Sequence, residues 1–532
     1  MSLSLSQLVA QMIVVLASGH LFDHQIRYPL WEPPIHTLHE WIENLGIGGV
    51  IFVDGSAWEL AARIQELQSW AQIPLLLAAD IEEGVGQRFA GATWFPPPMA
   101  IASIAKNHPA VGKSYAKKMG DITAQEALAI GLNWILGPVV DVNNNPDNPV
   151  INIRAFGEDT ATVIQLTTAF MRGTAQYPVL TTAKHFPGHG DTATDSHVEL
   201  PIIPHAMERL RDIELPPFRE AIAQGVDAVM TAHLLIPNWD KDLPATLSPT
   251  IINEKLRQTL GFNGLVVTDA LVMGAIADQY GPDQAPVLAV LAGADILLMP
   301  VEPEIAIKAV CDAVDQGKIS RERIEASVER IFHAKQKVCP DWYPEAKQNP
   351  ANVGISIHNF RPRVCKEEAI TLTYQILNKS LQSGNLPLIP QLAKTGKGRN
   401  LIIVDDLINT PFLDNQTEAI ATPAKHGYEL QLIDCHTPDL ISYVNDQLDG
   451  TIVQVFIRGN AFRNSAILVA IAQKCYRQLI ANQQLQALVI YGSPYTLELF
   501  LPELPENTPY IFTYGQMPAA QAIAMKHLFA NR

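Results

Sequence analysis

The chain has 532 residues, of which 48% are hydrophobic and 17% are charged, so it has ample material for folded cores. This composition excludes a disordered chain and a small domain held together by disulfides. Its 38 Lys and Arg against 54 Asp and Glu give a net charge of 38 − 54 = −16. Nucleic acids and anionic membranes are bound through basic surfaces, so the balance argues against both as partners.

The apolar segment Leu8–Gly19 suggests at first the core of a signal peptide. No Lys or Arg precedes it and Gln11 interrupts it, so we interpret it as a short helix followed by a buried strand. No stretch reaches the roughly 18 uninterrupted apolar residues of a membrane-spanning helix. The 5 cysteines are widely spaced and form no CxxC pair, which indicates a reducing compartment. We therefore expect a cytoplasmic protein.

Short apolar runs alternate with amphipathic segments through the first 300 residues. Such runs of Val, Ile and Leu are typical of parallel strands buried on both faces. The runs are Met12–Ala17, Gly49–Val53, Pro74–Asp80, Leu132–Asp141, Leu180–His185, Ala228–His233, Leu265–Asp269 and Ala294–Pro300. Helical patterns between them include Trp58–Ala71, Ala116–Ile130, Thr160–Ala175 and Pro216–Gln224. Strands alternating with helices in this number predict a (β/α)₈ barrel, which we assign to residues 1–338.

The pattern changes after the predicted barrel. Residues 339–365 contain several prolines and few apolar runs, which predicts a linker. Residues 366–532 predict a smaller α/β sandwich domain without an assigned role. Its predicted strands are Leu401–Val404, Leu430–Ile433, Ile452–Ile457, Ala487–Tyr491 and Tyr510–Thr513, and its clearest helices are Ser465–Leu479 and Ala519–Phe529.

Polar residues stand at the ends of five predicted barrel strands. They are Asp80, Asp141, the pair Lys184 and His185, His233, and Asp269. Asp is common as a helix N-cap, which would explain one or two of them. The carboxyl ends of the strands of such barrels carry the catalytic residues, so the whole set predicts an enzyme.

A long connection follows the fifth predicted strand and begins KHFPGHGDTATDSHVELP at residues 184–201. Long connections inside a compact domain are usually functional or disordered. Asp195 and His197 would share one face of an extended segment. A carboxylate beside an imidazole orients the ring and raises its basicity, which suits a general acid/base. An isolated pair of this kind in a loop is more often a chance arrangement.

Asp269 and two arginines that follow predicted strands have several possible roles. Asp269, in GFNGLVVTDALVMGAI, would serve as a nucleophile, a base, a metal ligand or a helix N-cap. Arg88 in DIEEGVGQRF and Arg154 in NPVINIRAFGED would bind a hydroxyl-rich ligand or form structural ion pairs.

Metal binding is not expected. The segment DVNNNPD at residues 141–147 resembles a calcium loop, but Pro146 and Asn152 replace the Gly and Glu that such a loop needs. The histidines near the predicted rim show no zinc-motif spacing; they are His185, His189, His197 and His233. We expect an enzyme without metal or other cofactor.

KHFPGHG followed by DSH, together with GLVVTDALVM, resembles glycoside hydrolase family 3, and specifically its β-N-acetylglucosaminidase branch. The resemblance extends from about Leu8 to Lys335. It implies a (β/α)₈ barrel that cleaves terminal β-linked N-acetylglucosamine (GlcNAc) with retention, through a covalent glycosyl-enzyme. It also implies a carbohydrate substrate and a role in the recycling of bacterial cell-wall muropeptides.

The resemblance assigns roles to individual residues. It makes Asp269 the nucleophile, His197 the general acid/base and Asp195 its orienting partner. It makes five residues substrate-binding: Asp80, Arg88, Arg154, Lys184 and His185. The sequence departs from the family pattern at three positions, where Glu83 replaces a Gly, Val85 replaces a polar residue and Ala270 replaces a frequent Asp.

Three alternatives stand beside this interpretation. A β-glucosidase of the same superfamily usually has a Glu acid/base elsewhere and lacks the DSH element, so Asp195-Ser196-His197 argues against it. A non-catalytic sugar-binding barrel would require loss of the nucleophile or of the dyad. A phosphorylase with the same residues stays open, because a His acid/base does not repel phosphate as a carboxylate would.

Overall fold

The computed structural model describes residues 3–193, 200–342, 363–385, 398–408, 410–437, 450–458 and 465–529. The chain divides into two compact units. The first comprises Met1–Phe95, His108–Asn145 and Arg154–Ile370, and the second Pro96–Asn107, Pro146–Ile153 and Thr371–Arg532.

Parallel strands form an 8-stranded barrel in the first unit, in the order β7-β6-β5-β4-β3-β2-β1-β8. They are β1 (Ile13–Ser18), β2 (Gly49–Val53), β3 (Leu76–Ala79), β4 (Trp134–Ile135), β5 (Leu180–Phe186), β6 (Ala228–Thr231), β7 (Leu265–Val267) and β8 (Leu297–Leu298). A parallel bridge between Val267 and Ile296 joins the two ends of the sheet, and Thr268 N donates to the Ile296 carbonyl at 3.0 Å. The prediction of a (β/α)₈ barrel is confirmed.

Helices precede and follow these strands along the chain. They are α1 (Leu5–Ala10), α2 (Ile35–Glu40), α3 (Ala57–Trp70), α4 (Pro98–Asn107), α5 (Pro109–Ile130), α6 (Thr160–Thr174), α7 (Met207–Arg209), α8 (Leu215–Ala223), α9 (Gly274–Ala292), α10 (Pro303–Asp315) and α11 (Arg321–Val338), with a π-helical segment at Thr250–Thr259.

The local sequence explains why α3 begins and packs as it does. Ser56 Oγ accepts a hydrogen bond from Glu59 N at 3.1 Å, and the Glu59 carboxylate accepts from Ser56 N at 3.2 Å. This reciprocal pair satisfies donors that the first turn of a helix leaves free. Leu60, Ile64 and Leu67 follow at helical spacing and are buried, so one face of α3 packs into the core.

Two strands are much shorter than predicted. The run Leu132–Asp141 contributes only Trp134–Ile135, and the run Ala294–Pro300 contributes only Leu297–Leu298. In the first case Pro138 has no N–H to donate to a neighbouring strand. The chain beyond it is still buried but has no regular ladder, so the apolar run is longer than the strand.

The polar side chains within the barrel are satisfied locally. All seven residues of β5 are buried, including the Lys184 side chain. Trp134 on β4 is fully buried and donates its indole N–H to Thr182 Oγ1 at 2.8 Å. A buried indole or hydroxyl without such a partner would cost free energy, so this pair supports packing between neighbouring strands.

Lys335 on α11 gives the barrel a pH-dependent stability. Its side chain is fully buried, Nζ donates to Gln11 Oε1 at 2.7 Å, and burial lowers its pKa to about 7 from an ordinary 10.5. Between these values the unfolded chain binds more protons than the folded one, so the free energy of unfolding rises with pH, by about 1.4 kcal/mol per unit for one proton. We expect Lys335→Met to remove this rise in urea unfolding between pH 7 and 9.5.

The matched control for Lys335→Met is Lys318→Met, which removes an exposed lysine of the same unit. That control should keep the pH slope of the wild type. An unchanged slope in Lys335→Met would contradict the assignment of the rise to Lys335.

The second unit contains a 6-stranded sheet in the order β11-β10-β12-β13-β14-β9. Its strands are β9 (Gln382–Gly384), β10 (Gly398–Val404), β11 (Tyr428–Ile433), β12 (Thr451–Ile457), β13 (Leu485–Gly492) and β14 (Tyr510–Thr513). They run parallel except β9, which pairs antiparallel with β14 and was not predicted. The helices are α12 (Glu367–Ser380), α13 (Glu418–Lys425), α14 (Ser465–Ala481), α15 (Pro494–Phe500) and α16 (Pro518–Leu528). The predicted α/β domain is confirmed.

Within the part of the chain that the structure describes, no helix is both long and apolar enough to span a bilayer.

Candidate active site

The polar residues predicted at strand ends follow the barrel strands in the structure. Asp80 comes directly after β3, and Lys184 and His185 are among the last residues of β5. His233 lies two residues after the end of β6, and Asp269 lies two residues after the end of β7. The carboxyl ends of parallel strands meet at one rim of a barrel. These side chains are therefore carried by one face.

A network of two bases and two acids, in which Lys184 and Glu82 are buried and Asp80 and Arg154 are partly buried, joins the end of β3 to β5. Lys184 Nζ lies 2.6 Å from Asp80 Oδ1 and 2.5 Å from Glu82 Oε1. Arg154 donates two hydrogen bonds to the Glu82 carboxylate, from Nε to Oε2 at 2.9 Å and from Nη2 to Oε1 at 2.8 Å. The network balances its charges, which compensates for their removal from water.

The buried charges of Glu82 and Lys184 are stabilised in their ionised forms by their partners. Burial alone would raise the pKa of Glu82, but Arg154 and Lys184 hold it well below its ordinary value. Burial likewise opposes the charge of Lys184, and Asp80 and Glu82 together raise its pKa. A ligand at this rim would meet fixed donors and acceptors, which suits a sugar with several hydroxyl groups.

Glu82 is a site residue that the sequence analysis missed. It lies within the quoted DIEEGVGQRF segment, but no periodicity or spacing set it apart from its neighbour Glu83. Its position two residues after Asp80 was the available signal, because alternate residues of an extended segment share a face.

Asp141 organises two histidines at the end of β5. Its carboxylate is buried and accepts from His185 Nδ1 at 2.8 Å, from His185 N at 3.1 Å and from His189 N at 2.7 Å. Burial would raise the pKa of Asp141, but His185 and His189 lower it overall. On the other side of the His185 ring, Nε2 lies 3.5 Å from Arg154 Nη2.

His189 is held neutral. Burial and the neighbouring His185 lower its pKa to about 4. The negative charges of Asp141 and, to a smaller extent, Asp269 act in the opposite direction on this pKa. His189 Nδ1 lies 2.9 Å from Thr192 Oγ1.

Asp269 is half-buried at the rim. Its backbone N–H donates to the Thr231 carbonyl at 3.1 Å, and its Oδ1 accepts from Ala270 N at 2.8 Å. The buried His233 lies with Nε2 3.0 Å from the Ala270 carbonyl, so that nitrogen donates. The backbone of Asp269 and Ala270 is thus hydrogen-bonded to the end of β6 and to the His233 side chain.

Arg88 supports the backbone of the third strand end, since its Nε donates to the Asp80 carbonyl at 3.2 Å. The neighbouring Glu83, which replaces a family Gly, is fully buried and accepts from Trp94 Nε1 at 3.0 Å. Gly84 keeps a φ of +84°, and a Cβ there would lie 2.7 Å from the Thr93 carbonyl oxygen. The turn therefore needs glycine at residue 84 but accommodates an acid at 83.

Asp195 and His197 lie in residues 194–199, outside the described residues, and their roles stay predictions. The chain on either side of them is joined by ion pairs. Asp191 Oδ2 lies 2.7 Å from His205 Nε2 and also pairs with Arg209. Residues before and after the segment are thereby held together.

A metal site would need several ligating side chains close together in the part of the chain that the structure describes. No cluster of three or more His, Cys, Asp or Glu residues there is arranged to hold a metal ion. All five cysteines fall within the described residues, and none forms a disulfide.

The structure thus combines a parallel barrel with a carboxylate after β7 and a network of bases and acids beside β3 and β5, at the rim where such barrels carry their catalytic residues. Residues 4–334 match the model of the glycosyl hydrolase family 3 N-terminal domain, and residues 391–530 match that of the bacterial glycosyl hydrolase family 3 C-terminal domain. The chain therefore belongs to glycoside hydrolase family 3, as the sequence motifs predicted.

Three similar proteins place the chain within this family. It is 35% identical over 387 residues to β-hexosaminidase A of Pseudoalteromonas piscicida, covering 67% of this chain and 62% of that one. It is 32% identical to the β-N-acetylglucosaminidase/β-glucosidase of Cellulomonas fimi, covering 55% and 52%. The solved family 3 β-N-acetylglucosaminidase of Paenibacillus sp. FPU-7 is 31% identical, with a TM-score of 0.79 over 99% of this chain and 96% of that one. The matched regions thus span little more than half the length of the first two relatives.

Proposed function

We propose that the protein is a retaining exo-glycosidase that hydrolyses terminal β-linked GlcNAc. The observation that carries the proposal is the rim itself, where Asp269 follows β7 and the network of Asp80, Glu82, Arg154 and Lys184 fixes charged donors and acceptors beside β3 and β5. The names of the Paenibacillus and Cellulomonas relatives, which include β-N-acetylglucosaminidase, support GlcNAc as the sugar.

In the proposed mechanism, Asp269 attacks the anomeric carbon while His197, oriented by Asp195, protonates the leaving oxygen. Asp80, Arg154, Lys184 and His185 hold the sugar hydroxyls, and Arg88 supports Asp80 through its backbone. Water, deprotonated by His197, then releases the sugar with its β configuration retained. Positive charge develops on the ring in the transition state, so hydrogen bonds that the Asp80 carboxylate accepts from the sugar hydroxyls strengthen and lower the barrier.

The biological setting is part of the same proposal. We assign catalysis to residues 1–338, a linker to 339–365 and a non-catalytic α/β domain to 366–532. Muropeptides from the bacterial cell wall would supply the terminal GlcNAc, and the cytoplasm would be the compartment. The unpaired cysteines support a reducing environment.

The substrate assignment predicts a clear preference between two matched substrates. The purified enzyme should hydrolyse an aryl β-GlcNAc glycoside with a kcat/KM at least about tenfold above that for the matching β-glucoside, since a binding site matched to an extra polar group discriminates by this much or more. An Asp269→Asn preparation controls for contaminating activity. Faster release of glucose than of GlcNAc would overturn the branch assignment.

The same assay in phosphate buffer tests the phosphorylase alternative. A hydrolase releases free GlcNAc in every buffer, and a phosphorylase releases the sugar 1-phosphate when phosphate is present. Free GlcNAc as the sole product in phosphate would support hydrolysis.

A further inference from the structure

Asp141 occupies a position that the proposed mechanism does not use. The chain before it runs beside the end of β5, because Val140 N donates to the Lys184 carbonyl at 2.9 Å. The Asp141 side chain is buried from solvent and is directed at β5 and the chain that follows it. It therefore contacts the segment that carries the sugar-binding residues without facing the solvent itself.

The contact with His185 determines which ring nitrogen carries a proton. A carboxylate only accepts hydrogen bonds, so Nδ1 at 2.8 Å must be the donor. In the neutral ring Nε2 is then left with its lone pair, on the side where Arg154 Nη2 stands at 3.5 Å. Asp141 thus fixes both the plane of the ring and the chemical character of the nitrogen that faces Arg154.

The contact with His189 fixes the chain that leaves β5. Asp141 Oδ1 accepts from His189 N at 2.7 Å, one residue before Gly190. Gly190 lies so close to the next stretch of backbone that a Cβ on it would come within 1.8 Å of the Val142 carbonyl oxygen. The first turn of the long connection that follows β5 is therefore hydrogen-bonded to Asp141 and packed against the backbone of Val142.

We propose that Asp141 is a positioning residue, which presents His185 Nε2 to the sugar as an acceptor and anchors the first turn of the connection that contains the proposed acid/base. The proposal rests on the proposed function for its kinetic consequences. Its structural part, the tautomer of His185, does not depend on any activity.

Asp141→Asn is the informative substitution. The amide oxygen can still accept from His189 N, but the amide nitrogen cannot accept the proton of His185 Nδ1, so the ring loses its orienting partner. We expect kcat/KM for an aryl β-GlcNAc glycoside to fall about 10–100-fold, by analogy with the loss that follows removal of the hydrogen-bond partner behind a metal-binding histidine. KM should rise, because the ring that accepts from the sugar is no longer oriented. A general weakening of the fold would lower the amount of active enzyme and leave KM unchanged.

Asp227→Asn is the matched control. Asp227 also binds β5, but at its opposite end, where it accepts from Thr181 N at 2.9 Å. Both variants remove a carboxylate hydrogen-bonded to the same strand, and only Asp141 touches the rim. Asp227→Asn should lower thermal stability and leave kcat/KM within about twofold of the wild type.

Imidazole ¹⁵N spectra of the full chain supply the activity-independent measurement, with the His185 signals identified from a His185→Gln sample. The wild type should show a protonated Nδ1 and an unprotonated Nε2 in the neutral ring, and Asp141→Asn should lose this preference. A wild-type His185 protonated on Nε2 would overturn the proposal even if Asp141→Asn failed to fold. So would an Asp141→Asn enzyme with wild-type kcat/KM. If the wild type hydrolyses no GlcNAc glycoside, the proposed function fails, and the spectra still decide the role of Asp141.

Discussion

Asp269→Ala should eliminate nearly all turnover of every β-GlcNAc substrate, with kcat reduced on the order of 10⁴–10⁶-fold, the scale of removing a catalytic nucleophile. The reason is that no covalent glycosyl-enzyme forms without its carboxylate. The loss should be equally severe for good and poor leaving groups. Steady-state kinetics with a series of aryl glycosides measures it.

The control for this variant is Asp278→Ala, which removes an exposed carboxylate from α9 in the same part of the chain and should keep wild-type kcat. The fold should survive Asp269→Ala, because the side chain is only half-buried at the rim and the backbone hydrogen bond from Asp269 N to the Thr231 carbonyl does not depend on the carboxylate. Circular dichroism and thermal unfolding verify this.

The stereochemistry of rescue makes the test of Asp269 specific. In Asp269→Ala, azide can take the place of the missing carboxylate on the α face of the sugar and displace an activated leaving group, which gives an α-glycosyl azide. A residue that only bound substrate would leave the enzyme nucleophile in place, and the product would keep its β configuration. A substantial residual rate with free β-GlcNAc as product would show that another group is the nucleophile.

The barrel was predictable because its strands are buried on both faces and most of them carry a short apolar run. The same feature explains why two strands are shorter than predicted. The run Leu132–Asp141 stays buried well past β4, and burial rather than hydrogen-bonded pairing is what an apolar run reports. The end of a strand is set by its hydrogen bonds to adjacent strands and by residues without an N–H, such as Pro138. A hydrophobicity pattern contains no information on either.

The site was predictable where a residue ends a strand and unpredictable where it acts through distant partners. Asp80, Lys184 and Asp269 follow apolar runs, so the sequence identified them. Glu82 belongs to the site because it binds Arg154, which is 72 residues away in the sequence. Asp141 ends a run too, but its function depends on His185, which is 44 residues away and on the next strand. Only the parallel pairing of β4 with β5 brings that contact about.

His197→Ala should show the opposite dependence on leaving group from Asp269→Ala. A poor leaving group such as a sugar alcohol needs protonation, so its kcat/KM should fall by the roughly 10²–10⁴-fold that general acid catalysis contributes. An activated phenolate departs without help, so its kcat/KM, which reports glycosylation, should fall far less. Asp195→Ala should give a milder version of the same pattern, because it removes only the orienting partner.

The second half-reaction supplies an independent signature. Without His197 no base activates water, so the glycosyl-enzyme should accumulate with activated substrates and kcat should fall. Azide needs no deprotonation, and it would attack the α-linked intermediate from the β face, which restores kcat and gives a β-glycosyl azide. This product is the anomer of the one expected from Asp269→Ala, so a single analysis of both variants separates the two roles.

The measurement is kcat/KM across leaving groups of graded acidity for His197→Ala, Asp195→Ala and a His108→Ala control, which alters an exposed histidine elsewhere on the chain. A proton donor gives a steep dependence on leaving-group acidity in the His197 variant and a shallow one in the control. A group that only binds the sugar lowers kcat/KM by the same factor for every leaving group, since ground state and transition state lose the contact alike. Uniform losses in His197→Ala, with no gain from azide, would therefore show that His197 positions the substrate and that another group transfers the proton.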